Sequence, residues 1–323
     1  MDELLKKISE FGIVPVVKLD NAKDALPLAK ALYDGWLPLA EITFRTAAAE
    51  ESIESIRSLT REMPEMLVGA GTVLTIDQVD RAATAGAKFI VTPGFNRRIV
   101  EHCLAKGLPV VPGCSGPSDM EAAIELGLEV VKFFPAEPSG GVEYLKAVAG
   151  PYTSLKFMPT GGINADNLNA YLSLKNVTAC GGSWMVKPEL INAGDFAAIT
   201  EITKQSVMGM LNFNLLHVGV NSADENDAAT VVSLFGERFG LGSRVGKSSI
   251  FAGTILEVMK APGRGKFGHI AISTRYIERA IAHFKLRGIA LDENSRKYND
   301  AGKLTTIYFA DEPGGFALHL TQI

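Results

Sequence analysis

The sequence is poor in cysteine. Its three cysteines, Cys103, Cys114 and Cys180, are an odd number in 323 residues and form no Cys-x-x-Cys pair. That argues against a disulfide framework and against a cysteine zinc site. Long apolar runs are also missing: nothing approaches the roughly 20 residues that a membrane-crossing helix needs. No block of like charge occurs, and 32 basic against 36 acidic residues leave a net charge of −4. Nucleic acid would call for a clustered basic patch, so it is not an expected partner. The opening 12 residues set Asp2, Glu3, Lys6, Lys7 and Glu10 among apolar positions, which predicts an amphipathic helix in place of a signal peptide. The expected location is the cytoplasm.

What is present is an ordinary globular composition, with 47% hydrophobic and 21% charged residues. The length exceeds the roughly 200–250 residues of a single barrel and leaves room for one small further domain. Up to about residue 208 the chain repeats one theme: a short β-branched run ends in Gly, Pro, Thr or Ser, and a helical stretch follows. The runs are 13–18, 39–44, 66–70, 89–92, 109–112, 130–134, 155–159 and 177–180. Between them lie helical stretches such as 21–31, 47–62, 76–85, 96–104 and 118–126. Such alternation predicts parallel βαβ units, and eight of them predict a closed (β/α)8 TIM barrel over 1–208, with an open doubly wound sheet as the alternative. From 212 to 323 the pattern changes. Strands at 214–220, 248–259, 267–273, 304–309 and 316–321 and helices at 226–239 and 277–287 read as an α+β domain of two βαβββ-like units. The opening strands of the two units match, His217-Val218-Gly219-Val220 against His269-Ile270-Ala271-Ile272.

In a parallel barrel the reactive groups gather where strands end. Lys132 falls within an apolar run, between Val131 and Phe133. An apolar setting favours a free amine that attacks a carbonyl, although a strand-end lysine also snorkels to solvent. Lys18 and Lys156 are rival lysines; Lys156 lies early in its run, and Lys18 is equally suited to holding a substrate anion. Glu41, Thr43 and Arg45 alternate onto one side of their run. Glu41 there suits proton transfer and Arg45 suits a substrate carboxylate, while a structural Glu41–Arg45 ion pair is the plainer reading. Gly161-Gly162 and Gly181-Gly182-Ser183 follow the seventh and eighth runs. Adjacent glycine pairs there expose backbone N–H groups to a phosphate, with Asn164 as a helix cap, unless they only make tight turns.

Taken together, Val14-Pro15-Val16-Val17, Glu41-Ile42-Thr43-Phe44-Arg45-Thr46, Val68-Gly69-Ala70-Gly71-Thr72-Val73-Leu74, Lys132-Phe133-Phe134-Pro135-Ala136-Glu137, Pro159-Thr160-Gly161-Gly162-Ile163 and Gly181-Gly182-Ser183-Trp184 resemble the 2-keto-3-deoxy-6-phosphogluconate/4-hydroxy-2-oxoglutarate aldolase family. The resemblance spans 1–208 in order and spacing. It implies a Schiff-base aldolase with Lys132 as the imine lysine and Glu41 as acid/base. It implies that Arg45 and Thr72 grip the pyruvate carboxylate and that Pro93, Phe134 and Thr160 line the pocket. Gly161, Gly162, Gly181, Gly182 and Ser183 would bind phosphate. It further implies a phosphorylated keto-acid substrate, no cofactor for the aldolase and a homotrimer. Departures from the pattern are Trp36 after Gly35, Pro38, and Gly116-Pro117 after the fifth run; the last bears on the sugar end of the substrate. The phosphogalactonate derivative is an alternative substrate. The alternative function is a sensing or scaffold barrel with activity in a metal-binding tail.

The tail resembles a vicinal-oxygen-chelate (glyoxalase-like) domain. The resemblance implies a divalent metal held by His217, Glu257, His269 and His319, the last standing where the family commonly has Glu. A metal-free binding or oligomerisation module is the alternative.

Overall fold

The computed structural model describes residues 2–323. Two compact units divide the chain, Met1–Met210 and Leu211–Ile323. The predicted opening helix is α1 (Glu3–Phe11); Met1 lies outside the described residues. Asp2 caps α1 by accepting from the Leu4 amide at 2.8 Å, and Gly12, at φ 75°, ends it.

Among the described residues, eight parallel strands build the first unit. They are β1 (Ile13–Val17), β2 (Leu39–Thr43), β3 (Leu67–Gly71), β4 (Ile90–Val91), β5 (Val110–Val111), β6 (Val130–Phe133), β7 (Lys156–Pro159) and β8 (Cys180–Gly182). Strands β5 to β1 are paired in sequence order and β1 pairs with β8. Backbone bonds close the rest of the ring. Lys132 N–H donates to Pro112 at 2.8 Å, joining β6 to the β5 side, and Phe157 and Thr178 bond β7 to the chain entering β8. The helices α2 (Ala25–Asp34), α3 (Ala49–Ser58), α4 (Ile76–Ala85), α5 (Arg97–Ala105), α6 (Pro117–Glu125), α7 (Gly141–Val148), α8 (Leu168–Leu172), α9 (Pro188–Asn192) and α10 (Phe196–Leu211) follow the strands. With helices outside and side chains inside, strands such as β2 and β6 are buried throughout. Ile13, Leu39, Ile42, Phe89, Phe133 and Phe157 are fully buried, each contributing about 1.5–3 kcal/mol of apolar transfer.

Local chemistry moved several expected boundaries. The stretch 21–31 opens with a 3-10 turn at Ala22–Asp24 before α2 begins, because the Asn21 side chain caps that turn first. The eighth strand lies at Cys180–Gly182 and not at 177–180, so Gly181 and Gly182 are inside the strand they were expected to follow. Their missing side chains are the reason: a Cβ at Gly181 would lie 2.4 Å from Thr160 Oγ1, and one at Gly182 would lie 1.9 Å from the Trp184 ring. Trp36 takes φ 68°, a left-handed conformation that a small residue adopts at lower cost.

The second unit has the order β9 (Asn214–Val220), α11 (Glu225–Phe239), β10 (Ser243–Val245), β11 (Ser249–Ala252), β12 (Leu256–Met259), β13 (Gly268–Thr274), α12 (Ile277–Leu286), β14 (Leu291–Tyr298), β15 (Leu304–Phe309) and β16 (Phe316–Gln322). The expected run 248–259 is two strands split by a turn at Gly253, φ 60°, and the polar strands β10 and β14 carry no apolar alternation that would have revealed them. All eight strands join one sheet, ordered β10-β11-β12-β9-β13-β16-β15-β14. The first strands of the two halves, β9 and β13, meet antiparallel at its centre. Alternation then sorts the faces. Ile250, Ala252, Leu256 and Val258 pack with Ala228 and Val232 of α11, so Phe251 and Glu257 point to the opposite face.

Candidate active site

The barrel strands deliver Lys132 from β6 and Glu41 from β2 to one buried point. Lys132 Nζ lies 3.4 Å from Glu41 Oε1, and the two side chains are 6% and 0% exposed. Glu41 Oε2 has no hydrogen-bond partner. A buried carboxylate oxygen with a vacant lone pair is costly unless a proton or a donor group comes to it. Gly71 makes room for this carboxylate, since a Cβ there would sit 2.2 Å from Oε1. The structural alternative of a Glu41–Arg45 ion pair does not form: Arg45 instead donates from Nε to Thr72 Oγ1 at 3.4 Å. Thr72 holds φ 55°, an uncommon conformation for a β-branched residue and one that cost about 1–3 kcal/mol to keep.

Beside this pair opens a cavity of about 210 Å³. Of the residues anticipated from sequence, Arg45, Phe134, Thr160, Gly161, Gly162, Gly182 and Ser183 line it. The Phe134 ring links wall and lysine, with Lys132 Nζ 5.3 Å from its centroid. Thr72 stands behind Arg45, Gly181 bridges to Thr160 in the barrel wall, and Pro93 packs against Gly113 outside the lining. Lys18 reaches the cavity rim and pairs with Asp20 at 2.6 Å, an interaction that lowers the Asp20 carboxyl. Lys156 opens β7, donates to the Lys175 carbonyl and does not line this cavity.

Sequence reading missed the support of the glycine loop. Gly161 and Gly162 take φ 99° and 85°, which only glycine adopts freely. Asn167 Nδ2 donates to the Gly162 carbonyl at 3.0 Å while its Oδ1 accepts from the Asn164 amide at 2.9 Å. Glu137 N–H donates to the Gly161 carbonyl, and the Glu137 carboxylate is held by the Tyr171 hydroxyl. Both carbonyls of the loop are thereby tied back. Nothing in local sequence singles out Asn167. Likewise Val16, Val17, Ile163, Val186 and Pro188 line the cavity but read as ordinary core.

In the second unit, β9, β12, β13 and β16 bring His217, Glu257, His269 and His319 together. Glu257 Oε2 lies 3.1 Å from Nε2 of both His217 and His269, and those two nitrogens are 3.1 Å apart. Potential ligand atoms of the three histidines all fall within 4.8 Å of one another. Ser249 donates to Glu257 Oε1 at 2.5 Å, and Thr321 occupies His319 Nδ1 at 3.1 Å. Burial opposes ionisation of Glu257, but hydrogen bonds with His217, His269 and Ser249 outweigh it and hold the carboxyl below the usual range. Burial, and then His269 and His217, push His319 down to about 4. Gly219 permits the cluster, because a Cβ there would meet the His269 ring at 2.0 Å.

A closed parallel barrel holding a buried lysine beside a buried carboxylate, linked through the Phe134 ring to a cavity whose lining includes Arg45 but neither member of the pair, defines an aldolase of the Schiff-base class. Comparison with known proteins agrees. The family described as "Aldolase: KDPG and KHG aldolase" matches residues 4–202, and the chain belongs to that family. A 2-dehydro-3-deoxy-phosphogluconate aldolase of Treponema pallidum (strain Nichols) is 46% identical over 207 residues, 64% of this chain and 97% of the relative. The KDPG aldolase of Legionella pneumophila, solved with pyruvate captured as a covalent carbinolamine, is 36% identical with TM-score 0.60, covering 64% of this chain and 98% of that one. The KDPG aldolase of Zymomonas mobilis ZM4, solved with 3-phosphoglycerate, is 35% identical with TM-score 0.58, covering 63% and 94%. Among the described residues, no helix is long and apolar enough to cross a membrane.

Proposed function

We propose that the barrel cleaves 2-keto-3-deoxy-6-phosphogluconate (KDPG) reversibly to pyruvate and glyceraldehyde 3-phosphate, and 4-hydroxy-2-oxoglutarate to pyruvate and glyoxylate. The observation that carries this reading is the buried Lys132–Glu41 pair. Lys132 Nζ adds to the C2 ketone, and the carbinolamine loses water to an iminium. The C3–C4 bond then breaks: its electrons pass to the iminium, giving an enamine, and the C4 hydroxyl proton passes to Glu41 as the aldehyde leaves. Protonation at C3 and hydrolysis release pyruvate and restore the amine. Arg45, set by Thr72, faces the carboxylate. Phe134 and Thr160 flank the reacting carbons, with Pro93 packed nearby. The Gly161-Gly162 loop with Gly181, Gly182 and Ser183 takes the phosphate. This chemistry asks nothing of a cofactor.

Borohydride reduction in the presence of pyruvate should add a pyruvyl-derived mass at Lys132. Full turnover in Lys132→Ala would overturn the mechanism. Equal kcat/KM for substrates with and without the phosphate would overturn the loop assignment, since remote contacts contribute to transition-state binding. The phosphogalactonate derivative is the C4 epimer and presents the same carboxylate, ketone and phosphate; comparing kcat/KM for the two epimers assigns the sugar. A homotrimer is the expected assembly, and analytical ultracentrifugation of the full chain checks it.

A second reading concerns the tail, which we assign as a vicinal-oxygen-chelate-like domain of two βαβββ modules. The convergence of His217, Glu257, His269 and His319 favours it. Donor atoms about 3 Å apart suit a divalent ion with bonds of ~2.0–2.2 Å, and imidazole with carboxylate suits a first-row metal. Elemental analysis of untagged protein prepared without chelator should find one ion per chain. Sub-stoichiometric metal, unchanged in His217→Ala/His269→Ala, would leave a metal-free module.

A further inference from the structure

The surroundings of the histidine cluster carry more chemistry than metal binding needs. Phe251 is the cross-strand partner of Glu257, and Tyr308 is the cross-strand partner of His319. The Phe251 ring meets His217 edge-on with centroids 5.7 Å apart, and the Tyr308 ring lies 4.8 Å from His319. Each ring in turn carries a guanidinium: Arg244 Cζ is 4.3 Å from the Phe251 centroid, and Arg264 Cζ is 4.7 Å from that of Tyr308. The cluster is therefore flanked on both sides by an aromatic ring bearing an arginine.

The two arginines differ. Arg264 is neutralised by Asp292 at 2.8 Å. Among the described residues no carboxylate pairs with Arg244, and its fork of N–H donors is left for a ligand. Charge counting points the same way. Three neutral imidazoles and one carboxylate leave a bound divalent ion with net positive charge, and anionic oxygens complete such a shell best. A neutral ligand would leave both the ion and Arg244 uncompensated.

We infer that this site binds a 2-oxo acid carrying a second anionic group, with the 2-oxo carboxylate at the histidine cluster and the distal anion on Arg244. The inference rests on the metal reading above and deepens it. The ketone and carboxylate oxygens of a 2-oxo acid lie on adjacent carbons and chelate one ion as a pair. Arg244, Phe251 and Glu257 are successive cross-strand partners on one face of the sheet, so the Phe251 ring stands between the guanidinium and the cluster, and a distal carboxylate or phosphate has to span that ring to meet Arg244. This is also the chemical class of the substrates proposed for the barrel, which makes the tail a second station for the same kind of molecule.

The test uses full-length Lys132→Met protein, which cannot form an imine in the barrel, loaded with Mn²⁺. Water-proton relaxation reports only ligands that displace water from the bound ion. Titration with 2-oxoglutarate should show saturable displacement, weakened ~10-fold in the added variant Arg244→Ala, the loss of one charge-assisted contact. Arg244→Lys should recover part of it. Pyruvate, which lacks the distal anion, should bind equally with and without Arg244. Unchanged Mn²⁺ affinity in Arg244→Ala shows that the tail is still folded. Equal 2-oxoglutarate affinity in the two proteins, or no displacement from the loaded ion, overturns the inference while leaving the metal site standing. Failure of the parent protein to bind Mn²⁺ overturns the metal reading and the inference with it.

Discussion

Gly71→Ala is a small change with a large expected consequence. The residue ends β3 directly beneath the Glu41 carboxylate, and an added methyl would stand 2.2 Å from Oε1, 2.6 Å from Cγ and 2.8 Å from Cδ. Ordinary contact needs roughly 3.5–4 Å, so the carboxylate must retreat by about 1 Å or more. It is fully buried and already 3.4 Å from Lys132 Nζ, so retreat breaks the pair. Gly71 is not among the glycines with positive φ, so alanine is tolerated by the backbone itself. A displacement of ~1 Å at a reacting group costs on the order of 10²-fold in rate. Coupled pyruvate release should therefore show kcat down about 100-fold in Gly71→Ala, with KM changed much less. Overpacking should lower stability by about 1–3 kcal/mol, read from urea unfolding. The control is Glu41→Gln, expected to lose ~10²–10⁴-fold. If glycine matters only by making room for Glu41, the double variant should be no slower than Glu41→Gln alone. A Gly71→Ala enzyme with near-normal kcat, or a double variant whose losses multiply, would refute this reasoning.

Asn167→Ala should loosen the Gly161-Gly162 loop, raising KM for the phosphorylated substrate ~10-fold while leaving kcat/KM for the non-phosphorylated acid near its own starting value; equal losses for both would mean a general folding defect. Burial raises the Cys103 and Cys114 thiols from the ordinary thiol range to about 11 and about 12, so at pH 8 thiolate is ~10²–10³-fold scarcer than in the unfolded chain. Native protein should therefore resist iodoacetamide at both positions, with labelling rising only as pH climbs towards 11; mass spectrometry showing unfolded-like labelling of Cys114 at pH 8 would contradict this. Gly219→Ala should push the His269 ring off the cluster and lower metal content by tenfold or more, ~1.4 kcal/mol or above, without changing pyruvate release; full metal loading in that variant would remove His269 from the ligand set.

Much of this protein was legible along the chain because local rules act locally. Strand–helix alternation marked the parallel units, an apolar run with Lys132 inside it marked an unusual lysine, and the period of two placed Glu41, Thr43 and Arg45 on one side. Repetition marked His217 and His269 as equivalent positions. What the chain could not state is who meets whom across the ring and the sheet. Glu41 and Lys132 are 91 residues apart, and only closure of the barrel with its particular stagger sets them 3.4 Å from each other and keeps Arg45 with Thr72 instead. Gly71 and Gly219 look like any strand glycine until the side chain that needs their space is present. Gly181 and Gly182 read as a loop by propensity, yet Thr160 and Trp184 require them within β8. The pairing of Phe251 with Glu257 and of Tyr308 with His319 depends on the register of strands whose neighbours, β10 and β14, have no apolar signature. Periodicity along a chain encodes which way a side chain faces; the partner it finds there is decided by register and closure, which belong to the folded whole.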